Sequence, residues 1–351
     1  MAGLIKKWMI VVSIIIGLVA LYVIFSNIPI NNVLRIISMA PLYAVLGYIL
    51  VQIIIQFVIA YRWKLVLHSQ GYTNLSLWRL NNYRLVGYAI SFITPAAKMG
   101  GEPARAGLLS KKENIPFDKA LSSVVIDKTI DLSASGTFFI IGTFILLLNF
   151  ALSNEFKQMI IGVSVLFFVL IIMFYIRMFK GKNFFHRIFI FLRLNKFAKL
   201  ESVGKKLKDF EDLIIKFYKQ DTKYFIYTLL VALLTWVIMF LEYKFIGLML
   251  GVNFDLLQIF LIVSFVGAAY LIPVPMALGV LEAGQISVFS IIGVSSTVGV
   301  ALSLIVRVKD IILSLIGLLM LAFYGLKVKT VIKENKFLDE ELSNLKRMNK
   351  Q

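Results

Sequence analysis

Long uninterrupted apolar segments constrain this chain more than any other feature of its sequence. Hydrophobic residues make up 60% of its 351 positions, well above the roughly 45–50% that is typical of soluble domains. Several of these segments reach the ~20 residues that a helix needs to cross the hydrocarbon core of a bilayer. The hydrocarbon core contains no water that could hydrogen-bond the backbone N–H and C=O groups. Segments that cross it are therefore expected to form helices, in which these groups bond to each other. The sequence therefore predicts an all-α integral membrane protein.

The apolar segments predict six full spans. They lie at about residues 8–26, 41–60, 117–150, 156–176, 224–250 and 297–326. The first is longer than the roughly 7–15-residue core of a cleaved signal peptide, so it is predicted to be retained. The second ends in Tyr61-Arg62-Trp63-Lys64, which is typical of an aromatic and basic anchor at the cytoplasmic interface.

A segment broken by proline and glycine occurs twice in the chain. The predicted breaks and gates are Pro95, Gly100, Gly101 and Glu102 in the first copy, and Pro273, Pro275, Gly279 and Glu282 in the second. In each copy a charged residue follows 25 positions after the glutamate, Asp127 in the first and Arg307 in the second. Broken apolar segments at corresponding places in two halves are the sequence signature of a transporter site at the bilayer midplane.

Each broken segment is predicted to form a re-entrant helical hairpin. Both flanks of the first are basic, so it is expected to enter from the cytoplasm, whereas the second enters from outside. Six spans and two hairpins give eight hydrophobic units in an inverted-topology repeat. The predicted divisions are a membrane domain at 1–326, made of repeat one at 41–150, a cytoplasmic amphipathic linker at 178–222 and repeat two at 224–326, and then a basic cytoplasmic tail at 327–351.

The net charge of +18 is unevenly distributed. Between Arg177 and Lys223 lie 13 basic and five acidic residues, and the tail adds seven more basic residues. Nucleic acid is the weaker explanation, because cytoplasmic loops of membrane proteins are basic and face an anionic leaflet. In this topology the outer loops hold Arg35 and Lys157 as their basic residues. The protein is thus expected in the cell membrane, with both termini in the cytoplasm.

Charged residues within predicted spans mark a candidate site, because charge at the bilayer centre costs roughly 2.5–3.5 kcal/mol or more. Asp127 and Asp131 share one helix face, and Arg307 and Asp310 share another. We expect these faces to meet, with Arg307 close to Asp127 or Asp131. The predicted polar cavity contains Arg105, Asp127, Lys128, Asp131, Glu242, Arg307 and Asp310.

Two alternatives to this cavity remain open. The charges could form a purely architectural ion pair. The residues after Asp131 are also nearly long enough to span alone, which would place Asp127 and Asp131 in a cytoplasmic extension of the helix. If the cavity is functional, Arg307, with Lys128 or Lys309, would receive an anionic headgroup, since a guanidinium fork matches phosphate geometry. Backbone N–H groups at the broken helices would add to that attraction.

Catalytic and cofactor chemistry find little support in the sequence. Cysteine is absent, and the two histidines, His68 and His186, are far apart, so no metal site is predicted. No phosphate-binding loop or dinucleotide fingerprint occurs, so no cofactor is predicted. Glu102 and Glu282 invite an acid/base interpretation, but the topology puts them on opposite faces of the membrane.

The run from Ile93 to Arg105, the sequence Asp127-Lys128-x-x-Asp131 and the run from Pro273 to Glu282 resemble the lysylphosphatidylglycerol synthase transmembrane (flippase) family. The resemblance covers about residues 5–328. It implies a membrane region that moves aminoacylated phosphatidylglycerol between leaflets, while a separate soluble domain attaches the amino acid. Because the chain ends at Gln351 after a short charged tail, the resemblance implies the translocating part and no enzyme, even under a synthase-type name. The second copy departs from the family in reading Met-Ala-Leu before Gly279, where a more glycine-rich run is usual.

The expected function is therefore to flip or scramble an anionic, aminoacylated, glyco- or polyprenyl-linked lipid. One alternative is a membrane subunit that presents lipid to a separately encoded aminoacyl- or glycosyl-transferase, and another is a non-transporting scaffold. The expected partners are the lipid itself and the anionic inner leaflet, with a second copy in a homodimer or a separate transferase as protein partners.

Overall fold

A computed structural model describes residues 30–93, 100–191, 201–269 and 280–324. Within these ranges the backbone forms twelve α-helices. They are α1 (Ile30–Ser38), α2 (Leu42–Ser69), α3 (Leu77–Ile93), α4 (Glu102–Glu113), α5 (Phe117–Asn149), α6 (Asn154–Phe179), α7 (Phe185–Phe191), α8 (Glu201–Gln220), α9 (Thr222–Met249), α10 (Leu256–Ala269), α11 (Val280–Ile291) and α12 (Ser296–Phe323). The predicted first span, Pro95, Pro273, Pro275, Gly279 and the basic tail lie outside the described residues.

Four of these helices, α2, α5, α6 and α9, are long and apolar enough to cross a membrane. They coincide with predicted spans two to five, which confirms an all-α integral membrane protein. Helix α12 has 28 residues, but Arg307, Lys309 and Asp310 interrupt its apolar sequence. It corresponds to predicted span six.

Helix α2 continues past the point where the second span was predicted to end. It reaches Ser69, and Arg62 is 2% exposed while Trp63 is fully buried. The predicted interfacial anchor is therefore wrong for Arg62 and Trp63, whereas Tyr61 is exposed. The Arg62 and Trp63 side chains face the interior because α5 offers them polar partners there.

Helices α2 and α9 correspond through a constant shift of 180 positions. Both have 28 residues, and both are followed by a glycine in the left-handed region, Gly71 with φ of 92° and Gly251 with φ of 71°. The same hydrogen bond closes each turn, from the Tyr72 N–H to the Leu67 carbonyl at 3.0 Å and from the Val252 N–H to the Gly247 carbonyl at 2.8 Å. This is the Schellman ending, in which glycine avoids the strain that a side chain would suffer.

The packing of α2–α5 recurs in α9–α12. Helices α2 and α9 pack on each other, and each also packs on the short helix that follows it. The short helices pair within each group, α3 with α4 and α10 with α11. Each group also crosses into the other, since α3 packs on α12 and α10 packs on α5.

Small residues allow the two crossing contacts. Gly317 of α12 lies against the backbone of Leu85 and the side chain of Ala89, and Gly142 of α5 lies against Ser264 of α10. Close backbone approach through glycine and serine is how helices associate where no hydrophobic effect drives them together. The two groups of helices therefore interlock rather than lie side by side.

The start of α4 is held tightly against α3. A Cβ on Gly101 would overlap the carbonyl oxygen of Gly87, and the Gly101 N–H donates to Ser91 Oγ at 2.8 Å. Since Ser91 accepts this N–H, Gly101 does not offer it to an anion, contrary to the expectation from sequence.

The basic segment after α6 folds into α7 and α8. Helix α8 lies in the linker that was predicted to be amphipathic. On its apolar face Ile214 and Phe217 are buried, and Phe210 and Leu213 are partly buried. Helix α8 packs on α5, α6 and α9. The fully buried Glu211 accepts hydrogen bonds from three backbone N–H groups, those of Phe184, Phe185 and His186.

Candidate functional site

A cavity of about 490 Å³ lies among α2, α3, α4, α5, α9 and α12. Ten charged side chains line it, five cations and five carboxylates. They are Arg62, Arg84, Arg105, Lys128, Lys309, Glu102, Asp127, Asp131, Glu242 and Asp310. So many charges inside an apolar bundle require internal partners, because each would be costly if left alone in the membrane.

Arg62 of α2 connects two carboxylates of α5. Its Nε donates to Asp127 Oδ1 at 2.8 Å, and its Nη1 donates to Asp131 Oδ1 at 2.7 Å. Asp127 is 1% exposed, whereas the Asp131 side chain is 38% exposed. Asp127 and Asp131 are one turn apart on α5, which is why a single guanidinium reaches both.

Arg105 of α4 approaches the other side of the same carboxylate. Its Nη2 lies 2.9 Å from Asp127 Oδ2. The guanidinium also stacks over the Trp63 ring, 3.7 Å from the ring centroid, an arrangement that favours arginine. Trp63 is fixed in turn by its Nε1, which donates to Ser123 Oγ at 3.0 Å.

A second charged group lies on α9 and α12. Lys309 Nζ is 3.0 Å from Glu242 Oε1 and 4.0 Å from Asp310 Oδ1. The Tyr88 hydroxyl of α3 donates to Asp310 Oδ1 at 2.7 Å. One ammonium thus serves two carboxylates, the reverse of Arg62 and its neighbours, where guanidinium groups outnumber the carboxylates.

Two further cations complete the lining. Lys128 Nζ lies 3.8 Å from Glu102 Oε1, which joins α5 to the start of α4. Arg84 of α3 donates to Gln56 and to Asn81 Oδ1, which are both neutral.

Six of the seven residues predicted for the cavity line it: Arg105, Asp127, Lys128, Asp131, Glu242 and Asp310. The gating residues Gly101 and Glu102 also contribute to the lining, whereas Gly100 is not part of it. The side chain of Glu282 lies outside the described residues. Asp127 is the eleventh residue of α5, about 15 Å along the helix from its start, and is buried.

The predicted pairing of Arg307 with Asp127 or Asp131 is wrong. Arg62 and Arg105 hold Asp127, and Arg62 also holds Asp131. Arg307 is buried with 9% exposure, but it is not among the residues that line the cavity. Its neighbours Lys309 and Asp310 face the cavity instead, a consequence of how α12 is rotated about its axis.

The polar residues missed at the sequence level are mainly on α2 and α3. They are Gln52, Gln56, Arg62, Arg84, Tyr88 and Ser91, with Ser135 on α5 and Thr235 on α9. The shift of 180 positions would have identified one of them. It relates Arg62 to Glu242 and Asp127 to Arg307. Each repeat thus has one basic and one acidic residue at these two positions, and their order along the chain is reversed in the second repeat.

Apolar helices long enough to span a bilayer, closed around a cavity lined by paired charges, define an all-α integral membrane protein with an internal polar site. The sequence from residue 10 to 317 matches the family described as the lysylphosphatidylglycerol synthase TM region. The chain belongs to this family. The match concerns the membrane region of the synthases.

Three archaeal relatives, each described as a UPF0104 membrane protein, are similar to this chain. The protein of Methanothermobacter thermautotrophicus is 23% identical over 301 residues, 80% of this chain and 86% of its own length. That of Pyrococcus horikoshii is 23% identical over 317 residues, 86% of this chain and 92% of its own. That of Methanocaldococcus jannaschii is 32% identical over 137 residues, 38% of this chain and 40% of its own. No solved structure matches this chain.

Proposed function

We propose that this protein moves a phospholipid or lipid-linked molecule between the leaflets of the cell membrane, with the headgroup passing through the charged cavity and the tails remaining in lipid. The observation that carries the proposal is the cavity itself. It has room for a headgroup at about 490 Å³, and its ten charges lie in a bundle whose outer surface is apolar. The family implies the same activity for the membrane region of the synthases. The activity is transport and needs no catalytic residue.

The proposed topology has six spans and two re-entrant hairpins in an inverted repeat. Support comes from the constant shift between α2 and α9 and from the recurring packing of α2–α5 in α9–α12. The hairpin helices have 17, 12, 14 and 12 residues, so the longest is about 25 Å long, short of a bilayer core of ~30 Å. Helix α12 is proposed to span because its ion-paired charges face the cavity. Both termini are proposed to be cytoplasmic, where the basic segments lie.

The two repeats contribute unequal charge to the cavity. Residues 62–131 supply four cations and three carboxylates, whereas residues 242–310 supply one cation and two carboxylates. The cavity as a whole is neutral but polarised from one repeat to the other. A polarised, pre-ordered lining replaces the water that a charged headgroup loses when it enters the membrane, which lowers the barrier to crossing.

The test is lipid exchange in proteoliposomes that contain fluorescent phosphatidylglycerol, with dithionite added to quench the outer leaflet. Wild-type protein should expose inner-leaflet label to the quencher. The triple variant Glu242→Gln/Lys309→Met/Asp310→Asn removes the buried lysine together with both carboxylates that it contacts, and should return exposure to the rate of empty vesicles.

The matched control neutralises an ion pair outside the cavity. Arg79 and Glu113 pair at 3.1 Å between α3 and α4, so Arg79→Gln/Glu113→Gln should transport like wild type. Equal rates for wild type and empty vesicles, with anionic and zwitterionic lipids alike, would reject translocation and favour presentation of lipid to a separate transferase.

A further inference from the structure

Arg84 differs from the other cations that line the cavity. It is 8% exposed, and its two hydrogen-bond partners, Gln56 and Asn81, are both neutral amides. Among the described residues, its buried Nε makes no hydrogen bond. The remaining cations each lie within 4.0 Å of a carboxylate, as Arg62, Arg105, Lys128 and Lys309 illustrate.

The charged groups around Arg84 add to the excess of positive charge at this position. Its electrostatic neighbours include Arg105 and Arg62, which repel it, and Asp127, which attracts it. These three guanidinium groups share two carboxylates, Asp127 and Asp131, because Glu102 is engaged by Lys128. This side of the cavity therefore carries one positive charge beyond its own carboxylates. A buried charge without a counter-charge destabilises a fold, so a role in binding accounts for its presence.

Unused donors lie on the same lining. Within the described part of the chain, Arg84 Nε, Arg105 Nε and Gln52 Nε2 are buried and make no hydrogen bond. Arg84, Arg105 and Gln52 all line the cavity. Several N–H donors around surplus positive charge suit a group that carries several anionic oxygens, as phosphate does.

We infer that Arg84, assisted by Arg105 and Gln52, forms the phosphate-binding site of this cavity, and that the ligand carries a phosphate group, either esterified in a lipid headgroup or free. The inference rests on the proposed function in one respect, namely that the esterified ligand is a component of the membrane. A lipid headgroup and free phosphate offer the same chemistry, and binding experiments distinguish these two sources.

The experiment measures binding to the full-length protein in an uncharged detergent, by titration calorimetry. The probes are soluble short-chain phosphatidylglycerol, inorganic phosphate, and short-chain diacylglycerol, which has the tails without the phosphate. Phosphatidylglycerol should bind wild type, and Arg84→Gln should weaken it at least about tenfold, as expected for loss of a charge-assisted hydrogen bond. Diacylglycerol should bind weakly and equally to both proteins.

Two further variants serve as controls for Arg84→Gln. Arg84→Lys keeps the charge without the planar fork and should bind with intermediate affinity, so it decides the matter if Arg84→Gln does not fold. Arg79→Gln removes an arginine from the same helix whose side chain is 47% exposed, and should bind like wild type.

Each outcome has a definite meaning. Arg84-dependent binding of phosphatidylglycerol with or without inorganic phosphate supports a site for a lipid headgroup, and binding of inorganic phosphate alone supports a site for the free ion. Equal affinity in wild type and Arg84→Gln, or diacylglycerol binding as tightly as phosphatidylglycerol, overturns the inference. Arg84-dependent binding without lipid movement in vesicles would reject translocation and leave the site standing.

Discussion

Arg62 forms ion pairs with two carboxylates in the cavity. It donates to two carboxylates of one helix, and its side chain is 3% exposed. Removing one member of such a group leaves the others charged and unsolvated, which is more costly than removing the whole group.

Arg62→Gln is therefore expected to lower the free energy of unfolding by about 3–5 kcal/mol. The measurement is reversible unfolding of the purified protein in mixed detergent micelles. Lys64→Gln, two positions away on the same helix and only partly buried, should change stability by no more than about 0.5 kcal/mol. Equal losses for the two variants would show that Arg62 contributes nothing through its ion pairs.

The sequence could identify most charges of the cavity but not their partners. A charge inside an apolar segment is visible without a structure, which is how Asp127, Glu242 and Asp310 were predicted. The rotation of α12 that turns Lys309 toward the cavity, rather than Arg307, depends on packing against α3 through Gly317. The ion-pair partners are therefore set by packing between helices, and a single sequence does not show that packing.

Among the helices, α4 depends most on a single residue. Gly101→Ala would place a Cβ on the Gly87 carbonyl, so α4 must move away from α3. We expect a loss of about 1–3 kcal/mol, as for overpacking of a filled interior, measured by thermal unfolding in detergent.

The control for this substitution is Gly162→Ala in α6. No atom lies within 4 Å of a Cβ placed there, and alanine favours a helix over glycine by roughly 0.8–1.0 kcal/mol. Gly162→Ala should therefore leave stability unchanged or raise it. If Gly101→Ala unfolds at the same temperature as Gly162→Ala, the close contact between α3 and α4 is wrong.

The attachment of α7 to α8 depends on one carboxylate. Glu211→Ala removes the acceptor of three backbone N–H groups, and unsatisfied buried donors cost about 1–3 kcal/mol each. We expect α7 to detach and trypsin to cleave after the exposed Arg187 at least several times faster than in wild type. Asp212→Ala, at the adjacent exposed position, should be cleaved like wild type, and equal cleavage of both variants would contradict the role of Glu211.

Helix bounds were predictable where apolar length alone decides them. Span four was expected at 156–176 and α6 is Asn154–Phe179. Hydropathy falls at both ends, where Ser153 Oγ caps the start by accepting from the Phe156 N–H and Gly181 follows the end with a positive φ. The second span was misjudged because an aromatic and basic cluster after an apolar run can either anchor a helix at the interface or continue it into a polar core. Only the position of Asp127 opposite Arg62 distinguishes these two cases.

The whole topology can be tested directly because the chain contains no cysteine. Asn154→Cys and Lys216→Cys each introduce one thiol at an exposed position. In the proposed topology, an impermeant maleimide should label position 154 in intact cells and position 216 only after permeabilisation. Labelling of both from the same side would reject the orientation, whatever the transport assay shows.

Helix α6 contributes Phe167 to the cavity lining, and most of its side chains are exposed. Its importance lies in the number of membrane crossings that it adds between the two repeats. In the proposed topology, α2 and α5 take the chain across the membrane and back, so a second repeat joined directly to the first would point the same way. One additional crossing turns that repeat upside down. Selection on α6 should therefore concern its length and hydropathy, and the identity of its lipid-facing residues should drift freely.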